Sequence, residues 1–194
     1  MAGRWRDTTP EELRAWLAAV DVPWWVSGGW ALDLWLGHET RAHSDIEIGC
    51  FRSELPRLLA DLIEWEVAIA RNKVLAALST PLPEPPFSLW VRRPNDEQWS
   101  FEILAEQRAG DRWLYRRDTR VTLPVAAVTL TTATGWRVVA PEVQLLYKSK
   151  APRDKDEADF TTVVPCLDAS RKNWLRDALL VADPGNPWIE RLAA

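Results

Sequence analysis

Residues 26–48, VSGGWALDLWLGHETRAHSDIEI, decide how this chain reads. The stretch opens at the end of a β-branched and aromatic segment, Val22 to Val26, which predicts a strand running into Ser27-Gly28-Gly29. Trp30 to Leu36 predicts a short helix closed by Gly37. Glycines at such a junction let the backbone approach a ligand closely, and the amides that open the helix point at whatever sits above them. That is a cradle for a triphosphate, although Gly-Gly after a strand also serves as a plain tight turn.

The stretch closes on Asp45-Ile46-Glu47-Ile48. Charged and apolar residues alternate from Ser44 to Phe51, which is the period of a strand. Both carboxylates then project from one face while Ile46 and Ile48 enter the core. Backbone positions two apart on a strand are separated by roughly 6.6 Å. Side chains from that spacing can converge on metal ions about 4 Å apart, as two-metal phosphoryl chemistry requires. D-x-E also arises on ordinary solvent-facing strands, so the pair does not decide the matter alone. A third carboxylate, Glu102, lies in WSFEIL with Phe101 and Ile103 facing the other way. It can complete a metal site or take a proton from an attacking hydroxyl, and Glu106 competes with it nearby.

Working outward, Thr9-Pro10-Glu11-Glu12 is a helix start, with Leu13, Trp16, Leu17 and Val20 continuing it at helical spacing over about 10–20. Leu55 to Ile63 predicts another amphipathic helix. STPLPEPP, residues 79–86, must be a loop. Leu89–Arg92 and Trp99–Leu104 predict strands joined by Pro94-Asn95-Asp96, and VTLTTATGWRVV predicts a hairpin turning at Gly135. From Pro141 the pattern is helical: 141–150, 156–164 capped by Asp156, 168–182 capped by Asp168, and a last piece from Pro187. The expected fold class is α/β (α+β), a mixed β-sheet flanked by helices plus a C-terminal helical region. The expected domains are residues 1–110 and a β-hairpin and helical domain over 111–194.

Composition bounds the function classes. The chain has 194 residues, 47% of them hydrophobic, and a net charge of −4. A phosphate-tracking surface needs a basic excess, so nucleic acid is not the expected partner. No apolar run is long enough to span a bilayer, and MAGRWRDTTPEE lacks a signal-peptide core, so the expected location is the cytoplasm. Cys50 and Cys166 stand in apolar runs without neighbouring histidines, which argues against a disulfide framework or a zinc site. The thirteen tryptophans are expected mostly in the core, with a minority able to stack on a ring-bearing ligand.

Gly28, Gly29, Trp30, Asp33, Gly37, Arg41, His43, Asp45 and Glu47 together resemble the signature of the polymerase beta-like nucleotidyltransferase superfamily. Within it the stretch is most similar to the aminoglycoside adenylyltransferases that modify the 2″ hydroxyl, and to lincosamide nucleotidyltransferases. So many agreements at fixed spacing make coincidence improbable. APEVQLLYKSKAPRDKDEADF, residues 140–160, resembles the helical half of such enzymes. The resemblance implies a nucleotidyltransferase fold with Asp45, Glu47 and Glu102 as ligands of two Mg2+ ions. Glutamate at the second position departs from the aspartate frequent in relatives, a departure the pattern permits. ATP or another NTP is the implied co-substrate, and the implied acceptor is a small hydroxyl-bearing, cationic molecule such as an aminoglycoside, hence a role in antibiotic resistance. Ser27, Gly28, Gly29, Arg41, Lys148 and Lys150 are the candidate nucleotide-binding residues. Lys148 and Lys150 can equally be a basic helix end, and Arg41 can instead pair with Asp33. His43 is read as a hydrogen-bonding support to the site. Transfer onto a protein acceptor, or a non-catalytic nucleotide-binding module, are the alternatives.

Overall fold

The computed structural model describes residues 4–72, 74–84 and 87–193. The elements in chain order are β1 (Arg4–Trp5), α1 (Pro10–Trp16), β2 (Trp25–Ser27), α2 (Gly28–Leu36), β3 (Glu47–Phe51), α3 (Leu55–Asp61), β4 (Glu66–Arg71), β5 (Val74–Ala77), β6 (Ser88–Arg92), β7 (Gln98–Trp99) and β8 (Phe101–Ala109). They continue with β9 (Arg112–Leu114), β10 (Thr122–Pro124), β11 (Thr129–Thr131), β12 (Arg137–Val139), α4 (Pro141–Lys148), α5 (Asp154–Val163), α6 (Ala169–Ala182) and α7 (Trp188–Ala193). The fold is α+β with a mixed sheet, as the sequence predicts. No described helix is long and apolar enough to cross a membrane. The chain forms two compact units, residues 1–30 with 40–107, and residues 31–39 with 108–194.

The first unit is built on a sheet in the order β2-β3-β8-β6-β4-β5. β2 runs antiparallel to β3, β3 parallel to β8, and β8 antiparallel to β6. Its core is apolar because the strands alternate: Ile46, Ile48, Phe101 and Ile103 are fully buried, together with Leu13, Trp25, Leu55, Leu58 and Leu89. Helix α1 starts as predicted, with Thr9 and Glu12 each accepting the other's backbone N–H, but it closes at Trp16 rather than near residue 20. The β4–β5 hairpin was not expected. Asn72 turns its chain at φ 51°.

The second unit gathers two short hairpins, β9–β10 and β11–β12, and the helices α4 to α7. Trp113 and Trp188 are its fully buried aromatics, and Trp188 stacks on Phe160 at 4.2 Å. The β11–β12 turn holds Gly135 at φ 78°, where the sequence places it. Asp168 caps α6 by accepting the Arg171 backbone N–H at 2.9 Å. Helix α5 begins at Asp154, two residues before the expected cap. Asp156 sits inside its first turn and accepts the Arg153 backbone N–H at 3.1 Å.

Candidate active site

Sheet register brings three of the predicted residues into one row. Ser27 on β2 stands opposite Glu47 on β3, and Glu47 stands beside Glu102 on β8. Residues in register on neighbouring strands share a face, and the opposite face holds the buried isoleucines and Phe101. Glu106 lies beside Phe51, four residues along the ladder, which is about 13 Å away at ordinary strand rise. Register therefore sets Glu102, not Glu106, against Glu47.

Asp45 precedes β3 rather than lying within it. The Glu102 backbone N–H donates to Ile46 O at 3.0 Å, so the parallel ladder reaches Ile46 and Asp45 is the next residue out. Burial still alternates: Asp45 and Glu47 are half-buried, Ile46 and Ile48 fully buried.

Helix α2 starts at the two glycines themselves, two residues earlier than predicted. Gly28 has φ +73°, a backbone state that L side chains rarely adopt, and a Cβ there would fall inside the Glu47 carboxylate. At Gly29 a Cβ would collide with the Arg41 guanidinium and come within 2.6 Å of His43 Nδ1. A side chain at Gly28 is strained by its backbone, and one at either glycine would have to displace the Glu47 carboxylate or the Arg41 and His43 side chains. Arg41 Nη1 lies 3.2 Å from His43 Nδ1 and donates to Ala42 O at 3.1 Å. The His43 ring stacks on Trp30 at 4.4 Å. Trp30, one of the residues that carry the resemblance, thus forms a wall against His43.

Glu102 has a partner that the sequence reading missed. Trp90 on β6 is its register neighbour, and the Trp90 indole N–H donates to Glu102 Oε1 at 3.3 Å. Glu47 leans over Gly28 on the β2 side, while Glu102 reaches towards Trp90 on the β6 side. Two like charges set in register repel. Among the described residues no three His, Cys, Asp or Glu side chains close on one point. The donor set nonetheless suits magnesium, which takes oxygen ligands, keeps several waters, and is commonly held by one or two carboxylates plus substrate phosphates.

The two predicted lysines are placed differently from each other. Lys148, at the end of α4, is locked between Asp159 at 2.8 Å and Asp156 at 3.1 Å, with its side chain 8% exposed. Burial opposes ionisation of Asp156, but the Arg153 guanidinium and backbone N–H, with the Lys148 ammonium, outweigh it and hold the carboxyl well below the usual range. Lys150 is exposed and opens onto a pocket of about 280 Å³, alongside Tyr115, Arg117 and Asp183. Elsewhere, Cys50 is buried, and desolvation with the nearby Glu106 and Glu54 carboxylates pushes its thiol up to about 12. A thiol held protonated is no nucleophile.

The sequence model of the aminoglycoside-2″-adenylyltransferase family matches residues 11–77, the segment that carries Ser27, Gly28, Gly29, Arg41, Asp45 and Glu47. No curated protein sequence matches the chain. Among solved structures, the lincosamide antibiotic adenylyltransferase LnuA, in its lincomycin-bound crystal structure, is 16% identical with a TM-score of 0.56, covering 81% of this chain and 98% of that one. The antibiotic-resistance factor ANT(2″)-Ia, solved in solution, is 17% identical with a TM-score of 0.58, covering 87% of this chain and 88% of that one. The chain therefore has the fold of these nucleotidyltransferases and carries, over residues 11–77, the sequence pattern of the aminoglycoside-2″-adenylyltransferase family.

Proposed function

We propose that the chain is a metal-dependent nucleotidyltransferase that moves AMP from ATP onto a hydroxyl of a small antibiotic. The carrying observation is the row Ser27–Glu47–Glu102, with Glu47 folded over Gly28 at the start of a helix. Asp45, Glu47 and Glu102 would hold two Mg2+ ions. Magnesium supplies neutralisation of phosphate charge, both on the bound nucleotide and on the departing pyrophosphate.

The rest is work for the protein's own groups. Backbone N–H groups at Ser27, Gly28 and Gly29 cradle the triphosphate at the opening of α2, where the helix dipole favours anions. Arg41, steadied by His43, adds a planar cation suited to phosphate oxygens. Lys148 is assigned instead to the pairing of α4 with α5, since its ammonium is already taken by two aspartates.

The acceptor's hydroxyl oxygen forms a bond to the α-phosphorus while the bond to the bridging oxygen of pyrophosphate breaks. The hydroxyl proton passes to Glu102 or to water. Positioning and charge neutralisation account for the rate, with no covalent intermediate on the protein. An antibiotic acceptor is supported by the family matched over residues 11–77 and by the printed descriptions of LnuA and ANT(2″)-Ia.

A pyrophosphate-release screen tests this reading. ATP and GTP are offered with Mg2+ against aminoglycosides, lincosamides and other polyols. Release that needs both an acceptor and Mg2+ is expected. Failure with every acceptor in the screen would contradict it.

A further inference from the structure

The Trp90–Glu102 contact deepens the reading above and rests on it. We infer that the Trp90 indole N–H helps to position Glu102 for cation binding. Four observations carry this. Glu47, Glu102 and Trp90 form one register row across three strands. The indole N–H donates to Oε1 of Glu102 at 3.3 Å. Trp90 is held in place, 8% exposed, with Trp5 at 4.7 Å and Trp99 at 5.8 Å between ring centroids. Ala70 belongs to the same cluster, and Ala68 and Leu75 pack against it.

The choice of donor has a chemical logic. A glutamate on its flexible stem samples several rotamers, and beside Glu47 it is driven away from the charge it must join. A lysine or arginine holding it would carry positive charge into a cation site and weaken cation binding. An indole N–H donates one hydrogen bond, accepts none and bears no net charge. It fixes one carboxylate oxygen without competing for the metal. The tryptophan cluster sets where that N–H points, so aromatic packing becomes carboxylate geometry.

Two variants test the inference. Trp90→Phe keeps a ring in the cluster and removes the donor; Glu102→Ala removes the acceptor. In 1H–15N spectra of the metal-free protein, the indole signal absent from Trp90→Phe identifies Trp90, and it is expected to shift in Glu102→Ala. Mg2+ titrated in the presence of ATP is expected to half-saturate at a several-fold higher concentration in Trp90→Phe, with an unfolding midpoint near that of the parent. An unmoved indole signal would overturn the inference. So would a parent-like Mg2+ requirement in Trp90→Phe alongside a raised one in Glu102→Ala, and in that case the functional reading would stand. If neither variant alters the Mg2+ requirement, Glu102 lies outside the site and the reading of it falls with the inference.

Discussion

Acidic side chains gather in two regions of this molecule, and the fold treats them in opposite ways. Between α4 and α5, Asp156 and Asp159 are buried, and Lys148 lies between them within 3.1 Å of both. On the sheet, Glu47 and Glu102 are half-buried and set side by side by strand register, one leaning over Gly28 and the other against the Trp90 indole. The first cluster is closed: its charge is compensated within the unit and its work is to join two helices. The second sets like charges in register, an arrangement that opposes folding and that a bound cation would relieve. Register beside a left-handed glycine sets the proposed metal-binding acids apart more clearly than acidity itself does.

The contrast can be broken most sharply by substitution on each side. Asp45→Ala is expected to lower the transfer rate by more than about 10³-fold, roughly 4 kcal/mol of transition-state stabilisation, while leaving the denaturant midpoint at or above that of the parent. Lys148→Met should behave the other way. It removes the Lys148 ammonium from buried Asp159 and leaves Asp156 to Arg153, and loss of one partner from a buried pair costs about 3–5 kcal/mol of stability, read by urea unfolding. A Lys148 variant that is stable but inactive would move this lysine back among the nucleotide-binding residues.

Two glycines sharpen the comparison at smaller magnitude. Gly28 and Gly37 both have positive φ, +73° and +84°. Alanine at either imposes strain of about 1–2 kcal/mol. At Gly37 a Cβ meets nothing within 4 Å, whereas at Gly28 it displaces the Glu47 carboxylate. Gly28→Ala is therefore expected to lose activity well beyond its loss of stability, and Gly37→Ala to lose stability alone. Kinetics normalised to the folded fraction separate the two.

The smallest expected effect is one of pH. Asp156 has its folded-state pKa held below the ordinary carboxylate value, so its ionised form stabilises the folded chain. That contribution is complete above the ordinary range, near about pH 4, and is lost as pH falls from there towards the depressed folded value. Acid unfolding followed by circular dichroism should show a steeper decline between about pH 4 and 2 in the parent than in Asp156→Asn.

Much of this was legible in the residues because backbone period and local chemistry agree there. The Thr9 cap, the Gly135 hairpin and the Asp168 cap are local features, and local sequence specifies them. The paired faces of Asp45–Glu47 and of Phe101–Ile103 follow from alternation alone. Register between strands distant in sequence does not, so neither which of Glu102 and Glu106 lies beside Glu47 nor the Trp90 contact could be read directly. The β4–β5 hairpin escaped because its strands show no clean alternation: Ile69 and Ala70 are buried consecutively, and Val74, Ala76 and Ala77 are all exposed. Only Asn72, a residue that tolerates the left-handed turn, marked it. Lys148 was ambiguous for another reason. A lysine at a helix end suits a phosphate or a buried aspartate equally well, and the neighbouring helix decides.

The central claim is that carboxylates aligned by strand register beside the Gly28 turn grip a divalent cation under a nucleotide. Calorimetric titration of ATP into the parent chain and into Glu47→Gln, each with Mg2+ and with EDTA, tests it most directly. The account predicts binding by the parent that depends on Mg2+ and loss of that dependence in the variant. Equal affinity with and without Mg2+, or an unchanged Mg2+ dependence in Glu47→Gln, would contradict it.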